Sequence, residues 1–457
     1  MTVANTSEAH NGNSGSSSKP HVQFDTQILR INPHDVGNII HTDPTVPFLS
    51  GWTLTPPSPP TPSYKSLNTA AQSLRETSIS LAFPTETVYG LAASALSTSA
   101  VQNIFDTKNR PADNPLIVHI HSLPQLMDLL KPHGLPKIYS PLIDRFWPGP
   151  LTIILPLPST SPLSPLTTAG LHTFGARMPS SLLSLLLLKL TNVPLAAPSA
   201  NTSTKPSPTT AGHVYHDLHG KIKYILEDTT SPSCPVGVES TVVDGTCNPP
   251  AILRPGGVSL EQIQQVPGWE STVIGYKDKA LEQNEVARAP GMKYRHYAPR
   301  ARVILFSSEC PQPQLRDLLP FLLLSSPSSP SLVSAEENIK DTIGIGIIRT
   351  HAWTPLISSP SSKIEPSTTA NADIPPTIPI SSYATDISIE SIISLKVHDI
   401  WLGPKAASVA HGLFSALRAL DDYEASVIFV EGIKEDEGPV AAAVMNRLRK
   451  ASEREIM

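Results

Sequence analysis

The sequence predicts an α/β protein of two domains, and three observations carry that reading. At 457 residues the chain has room for two or three domains of ~150 residues each. Short apolar runs of strand length alternate with stretches of helical spacing along most of its length. A polar stretch rich in Glu, Gln and Lys, 269–289, separates two such series. Charge limits the possible partners: Lys+Arg is 34 and Asp+Glu is 39, a net charge of −5, so the chain lacks the basic field by which nucleic-acid binders collect phosphate. Proline, at 48 residues, is roughly double the usual ~5 % and should concentrate in loops and linkers.

In chain order, residues 1–20 are rich in Asn, Ser and Gly, and Pro56, Pro57, Pro59, Pro60 and Pro62 follow closely. Together they predict a disordered, extended Pro/Ser-rich tail over 1–63. A first domain is expected over 64–268, opening with a helix whose Leu67, Ala70, Ala71 and Leu74 share one face. Strands are expected at 79–83, 115–120, 151–155, 171–177, 194–197, 222–226, 239–243 and 251–254, with helices at about 98–107, 139–146, 180–190 and 209–217. Their irregular spacing predicts a twisted, mixed sheet. Residues 269–300 are expected to link it to a second domain over 301–457, with strands at 302–306, 343–348, 395–402 and 426–430 and a Pro/Ser/Thr-rich low-complexity insertion at 355–380. Ala406, Val409, Ala410, Leu413, Phe414, Leu417 and Leu420 form one helical stripe. The βαβα order at this end predicts a smaller Rossmann-like parallel sheet.

Cys234, Cys247 and Cys310 are scattered and sparse, which supports neither a zinc knuckle nor a disulfide framework and fits a reducing compartment. The greasiest stretch, Leu182–Leu190, contains Ser184 and Lys189 and is far shorter than the ~20 residues of a membrane span. Residues 1–30 carry Lys19 and Arg30 against Glu8 and Asp25, unlike a transit or signal peptide, so a cytoplasmic protein is expected.

No P-loop, complete G-x-G-x-x-G or G-x-S-x-G motif is present, so a phosphate site must be built another way. Three segments offer material for one. Lys108-Asn-Arg110-Pro-Ala-Asp-Asn114-Pro puts two cations between prolines before a strand ending at His119. Arginine supplies a fork for phosphate oxygens and lysine a point charge, although ordinary solvated surface cations would look the same. Ala197-Pro-Ser199-Ala-Asn201 ends a strand in small residues, and Ser207-Pro-Thr-Thr reads as the cap and first turn of a helix whose free N–H groups suit an anion. Plain capping explains the Ser and Pro, but less well the number of hydroxyls and amides. Ala289–Pro299 alternates Lys293, Arg295 and His296 with Tyr294 and Tyr297, unlike an inert linker; it could also simply dock one domain on the other.

Seven ordered motifs then carry a resemblance: FPTETVYGLAA (83–93), KNRPADNPLIVHI (108–120), WPGPLTIIL (147–155), APSANTSTKPSPTTAGHV (197–214), GVESTVVD (237–244), ILRPGGVS (252–259) and APGMKYRHYAP (289–299). The sequence resembles the two-domain threonylcarbamoyl-AMP synthases with a YrdC-like domain over about 66–457, VMNRLRKAS (444–452) included. The resemblance implies a YrdC-like sheet with a deep, positively charged cavity, followed by the Rossmann-like domain. It implies condensation of L-threonine, bicarbonate and ATP (with Mg²⁺) to L-threonylcarbamoyladenylate and pyrophosphate. The product would pass to a threonylcarbamoyl transferase acting on tRNA, with no membrane and no stable nucleic-acid binding. The Lys-x-Arg and Ser-x-Asn motifs fall on Lys108, Arg110, Ser199 and Asn201 as catalytic residues. Thr87, His119, Arg177, Ala197 and Ser240 match threonine contacts; Arg110, Asn114, Thr173, Ser199, Ser207, Arg254 and Tyr297 match ATP contacts. No resident metal site is implied.

The sequence departs from the family pattern where Ser180-Ser181 follows Arg177-Met-Pro in place of a histidine, which bears on one wall of the threonine pocket. Loop 156–168 and the insertion at 355–380 are unusually long and Pro/Ser-rich. An RNA-binding module holding tRNA without catalysis is the alternative from another class; net charge and the lack of an aromatic strand motif oppose it. A hydrogenase-maturation carbamoyltransferase shares the YrdC-like domain but carries zinc fingers that three scattered cysteines cannot build.

Overall fold

The computed structural model describes residues 23–41, 51–231, 234–276, 292, 297–323, 342–356, 380–389 and 391–457. Within the first domain the strands are β1 (Gln27–Ile31), β2 (Asn38–His41), β3 (Trp52–Thr55), β4 (Leu81–Phe83), β5 (Gly90–Ser94), β6 (Ile117–His119), β7 (Leu151–Pro156), β8 (Thr173–Arg177), β9 (Leu195–Ala196), β10 (Tyr224–Asp228), β11 (Thr241–Asp244), β12 (Ala251–Arg254) and β13 (Val273–Ile274). Eleven of them make one mixed sheet in the order β1-β10-β4-β5-β9-β6-β8-β7-β11-β12-β13, while β2 and β3 pair separately. Its helices are α1 (Pro62–Glu76), α2 (Thr98–Lys108), α3 (Leu123–Leu129), α4 (Ser140–Phe146), α5 (Pro165–Thr168), α6 (Leu182–Thr191), α7 (Ala211–Leu218) and α8 (Leu260–Gln264).

The expected helical face of α1 is the buried one: Leu67, Ala70, Ala71 and Leu74 all lie in the core. Thr61 caps its first turn by accepting from Tyr64 N, and Pro62 occupies the first-turn position where no N–H is needed. The greasy α6 is a core helix, with Leu183 and Leu185 to Leu188 buried. Among the described residues no helix is long and apolar enough to cross a membrane.

Two expectations about domain limits are corrected. The tail over 1–63 is not wholly unstructured: β1 pairs in parallel with β10 from Gln27↔Tyr224 to Ile31↔Asp228 and extends the sheet. Trp52 is buried, donating Nε1–H to His121 O at 3.0 Å. Residues 1–22 lie outside the described residues. Nor does the first domain end at 268, because Trp269 is fully buried and β13 pairs with β12 beyond it.

The second domain contains β14 (Arg302–Phe306), α9 (Leu315–Leu323), β15 (Thr342–Arg349), β16 (Ile380–Ile389), β17 (Ser391–Trp401), α10 (Ala406–Asp422), β18 (Val427–Glu431), α11 (Ala441–Ala451) and β19 (Arg454–Ile456). The sheet order is β16-β17-β15-β18-β14-β19; every neighbouring pair is parallel except β16–β17 at one edge. That is the expected Rossmann-like sheet with two edge strands added, antiparallel β16 and parallel β19. Strand alternation divides its core: Val303 and Leu305 pack on the side of α10 and α11, Ile304 and Phe306 on the side of α9. Most of the insertion expected at 355–380 (357–379) lies outside the described residues. One apolar cluster crosses the domain boundary, bringing Val88, Val238 and Tyr297 together with Val409, Leu413 and Phe414.

Candidate active site

A cleft opens where the main sheet's strands end. Its walls come from the β4–β5 loop (Thr85, Thr87), the ends of β6 and β8 (His119, Arg177), the segment after β9 (Ala197 to Asn201), residues Lys205 and Ser207, the start of β11 (Glu239, Ser240), Arg254, Arg110 and Tyr297. Four cations, Arg110, Arg177, Lys205 and Arg254, face it against one carboxylate, Glu239. Such a cavity favours anions.

One end is organised around Arg177. Its register partner across the parallel β6–β8 ladder is His119, so both reach the cavity from adjacent strands. Arg177 donates Nε–H to Gly149 O (3.2 Å), Nη1–H to Thr87 Oγ1 (3.0 Å) and Nη2–H to Glu86 Oε1 (2.5 Å). Thr87 Oγ1 also lies 2.8 Å from Thr85 Oγ1. Three fixed partners, one of them the Glu86 carboxylate, hold the guanidinium in one orientation. His119 is buried, with Nδ1 3.2 Å from Ile117 O and its ring edge-on to Phe83. Burial and then the charge of Arg177 push His119 down to about 3, so at neutral pH it is an uncharged hydrogen-bonding group.

Across the cleft, α2 ends in a turn that separates Lys108 from Arg110. Asn109 caps it in the left-handed region at φ 51°, a conformation asparagine tolerates better than most residues. Arg110 faces the cavity, donating Nε–H to Asn114 O (3.3 Å) and Nη2–H to Pro115 O (3.1 Å). Lys108 points the other way. Its Nζ donates to Ser199 O at 2.6 Å and to Asn201 O, and lies 3.5 Å from Asn201 Oδ1. Burial, followed by Arg110, lowers its amine well below the usual lysine range. Ser199 Oγ donates to Asn201 Oδ1 at 2.5 Å, and Asn201 Nδ2 to Thr202 O and Lys205 O.

The third wall is a run of paired groups. Arg254 donates Nε–H to Ser240 O (3.0 Å) and Nη2–H to Ser240 Oγ (3.0 Å), whose hydroxyl also meets Thr152 Oγ1 at 2.8 Å. Burial lowers Arg254 only to about 10, leaving it charged at neutral pH. Ser207 Oγ donates to Glu239 Oε1 at 2.5 Å, and Arg447 Nε–H to Glu239 Oε2 at 3.0 Å. Burial alone would raise Glu239, but Arg447, Arg254 and Ser207 hold it below the usual carboxylate range. Tyr297, at φ 67°, stacks on Phe414 with ring centroids 5.4 Å apart. Its burial pushes the phenol up.

Comparison with known proteins places both domains in one family. Residues 74–256 match the Sua5/YciO/YrdC family, described as telomere recombination, and 258–453 match the threonylcarbamoyl-AMP synthase C-terminal domain. The threonylcarbamoyl-AMP synthase of Schizosaccharomyces pombe is 40 % identical over 416 residues, 86 % of this chain and 90 % of its own. That of Pyrococcus abyssi is 40 % identical over 383 residues, 84 % and 93 % of the two chains. The chain belongs to the threonylcarbamoyl-AMP synthase family. A crystal structure of P. abyssi Sua5 complexed with L-threonine aligns at TM-score 0.67 and 34 % identity over 94 % of this chain and 99 % of that one.

Of the residues that family resemblance singled out, Thr87, Arg110, His119, Arg177, Ala197, Ser199, Asn201, Ser207, Ser240, Arg254 and Tyr297 all line the cleft. Three do not. Lys108 is buried behind the wall, holding the 199–201 turn. Asn114 is buried beside Arg110, its Oδ1 and Nδ2 without a partner, and Thr173 sits at the start of β8 away from the lining. The helix cap is corrected as well: Thr210, not Ser207, caps α7, accepting from His213 N at 3.2 Å, which leaves Ser207 free to face the cleft. Ser180 and Ser181, where the family pattern has a histidine, lie off the lining; Ser180 N donates to Glu86 Oε2 and Ser181 caps α6. Lys293, Tyr294, Arg295 and His296 lie outside the described residues. Sequence reasoning missed Glu239, Lys205 and the Glu86 partner of Arg177.

Proposed function

We propose that this chain condenses L-threonine, bicarbonate and ATP into L-threonylcarbamoyladenylate with release of pyrophosphate. The observation that carries the reading is one cleft with a fixed arginine–threonine–histidine cluster at one end and several cations and hydroxyls at the other. Arg177 receives the threonine carboxylate, while Thr87, neutral His119 and Ser240 are placed for the amine and hydroxyl. The amine takes up the carbon of bicarbonate, losing water, to give a carbamate. A carbamate oxygen then attacks the α-phosphorus, forming an O–P bond as the bond to the β-phosphate oxygen breaks. Arg110, Ser199, Ser207 and Arg254 hold the phosphates in line and balance the charge moving onto pyrophosphate.

Among the lining residues only Glu239 is a carboxylate, and Ser207 and Arg447 take both its oxygens. Among the described residues no group of three His, Cys, Asp or Glu is placed to hold a metal. Mg²⁺ is assigned to the substrate, arriving as MgATP. The product suits a threonylcarbamoyl transferase acting on tRNA, and the three free cysteines suit a reducing cytoplasm. Most polar groups of the cleft are buried side chains such as Thr87, His119, Arg177, Ser240 and Arg254, within reach of a small molecule rather than a folded RNA, which favours synthesis over a tRNA-holding module. The test is pyrophosphate release by the full chain without RNA. Release that requires threonine, bicarbonate and ATP together supports the synthase; release indifferent to threonine, or dependent on tRNA, contradicts it.

A further inference from the structure

Two buried arginines of the second domain reach behind the wall of the cleft. From α10, Arg418 donates Nη2–H to Pro206 O and to Asp217 Oδ2 (2.8 Å), and Asp217 Oδ1 accepts from Lys205 Nζ at 3.0 Å. From α11, Arg447 donates to Glu239 Oε2 (3.0 Å) and Pro255 O (2.6 Å), and Glu239 in turn accepts from Ser207. Thr209 Oγ1 and Ser415 Oγ lie 3.0 Å apart. Residues 205, 206, 207 and 209 are thus each tied to the second domain, directly or through one carboxylate. Arg447 also lies over the Tyr297 ring, 5.6 Å from its centroid.

Adhesion does not require this. An apolar cluster around Leu413 and Phe414 already joins the domains, and buried ion pairs add little that well-packed apolar groups of the same shape would not. Their particular property is direction: a forked guanidinium fixes where its partners point. Lys205, Ser207, Glu239 and Tyr297 all line the cleft, whereas the hydrogen bonds described for Thr87, His119 and Arg177 run within the first domain.

We propose that Arg418 and Arg447 are positioning residues that set segment 205–209 and Glu239 against the nucleotide, so that the second domain completes the active site. This rests on the reading that this end of the cleft takes ATP. The experiment uses the full chain and compares wild type, Arg447→Lys, Arg447→Met, Arg418→Lys, Glu239→Gln and the Arg447→Met/Glu239→Gln double variant. Expected is a rise of about ten-fold or more in KM for ATP, or an equal fall in kcat, for Arg447→Met, with a smaller effect for Arg447→Lys. KM for L-threonine should stay within about two-fold, because its cluster is held inside the first domain. Adding Arg447→Met to Glu239→Gln should cost little more, because the arginine acts through the glutamate. Amide exchange of peptides spanning 205–209 should quicken in Arg447→Lys and Arg418→Lys; this readout does not depend on turnover and separates failure of the clamp from failure of the synthase reading. If Arg447→Met does not fold, the two lysine variants decide. Unchanged exchange in both, an unchanged kcat/KM for ATP, or parallel rises in both KM values would overturn the proposal.

Discussion

Lys108 and Arg110 are two residues apart, yet the left-handed Asn109 between them gives them different work. Lys108 braces the 199–201 turn through two carbonyls; Arg110, anchored on the carbonyls of Asn114 and Pro115, faces the cleft. Arg110→Ala should therefore lower kcat/KM by about 10²–10³ with an unchanged melting temperature. Lys108→Met should also lower the melting temperature, since two buried carbonyls lose their donor at about 1–3 kcal/mol each. Melting curves beside pyrophosphate assays separate the two, and a folded, fully active Arg110→Ala would contradict the placement. His119 carries a pH prediction. Its folded value of about 3 lies below the ~6.5 of an unfolded histidine, so its contribution to stability is complete above ~6.5 and is lost as pH falls toward 3. Between pH 6 and 8 the wild-type rate should show no inflection that His119→Gln abolishes. The cleft was legible in the sequence because its residues sit in short motifs rich in hydroxyls, amides and cations. Glu239 was not, for its two partners are Ser207, 32 residues away, and Arg447, 208 residues away. No local spacing signals a carboxylate that long-range cations must neutralise.

At the scale of elements, apolar runs identified the central strands because strands covered on both faces read as continuous hydrophobic sequence. The edge strand β1 was hidden for the converse reason. Gln27-Ile-Leu-Arg-Ile31 is mostly exposed or half-buried, with only Ile31 in the core, and lies among Asn and Pro residues. Trp52, beyond it, is the anchor of this segment: its indole pairs with His121 O and lies under Lys189 Nζ at 5.2 Å. Trp52→Ala should cost about 3–5 kcal/mol and lower the melting temperature clearly; a change within error would mean this segment is an appendage. Gly237 reports on the packing of the β11 approach against α10. It adopts φ +77°, and a Cβ there would lie 2.3 Å from Ala410 O and 2.4 Å from the Cα of His411. Gly237→Ala should cost ~1–2 kcal/mol from backbone conformation alone, and more from the clash. An unchanged melting curve would show that the two elements do not meet so closely.

For the whole molecule, the two domains share an apolar cluster and buried ion pairs, beside a cleft lined by the first domain and by Tyr297 of the linker. The sequence distinguished two α/β units and could not show that they meet here, since pairs such as Asp217 with Arg418 lie 201 residues apart. On the proposed function, threonine and nucleotide share one cleft, the amino acid at Arg177 and the phosphates at Arg110, Ser199, Ser207 and Arg254. The most direct measurement is a crystal structure of the full chain with L-threonine and a non-hydrolysable ATP analogue. The threonine carboxylate is expected on the Arg177 guanidinium, beside Thr87 and His119, and the triphosphate among the other four residues. Nucleotide bound at the strand ends of the second domain's sheet, or threonine away from Arg177, would contradict it.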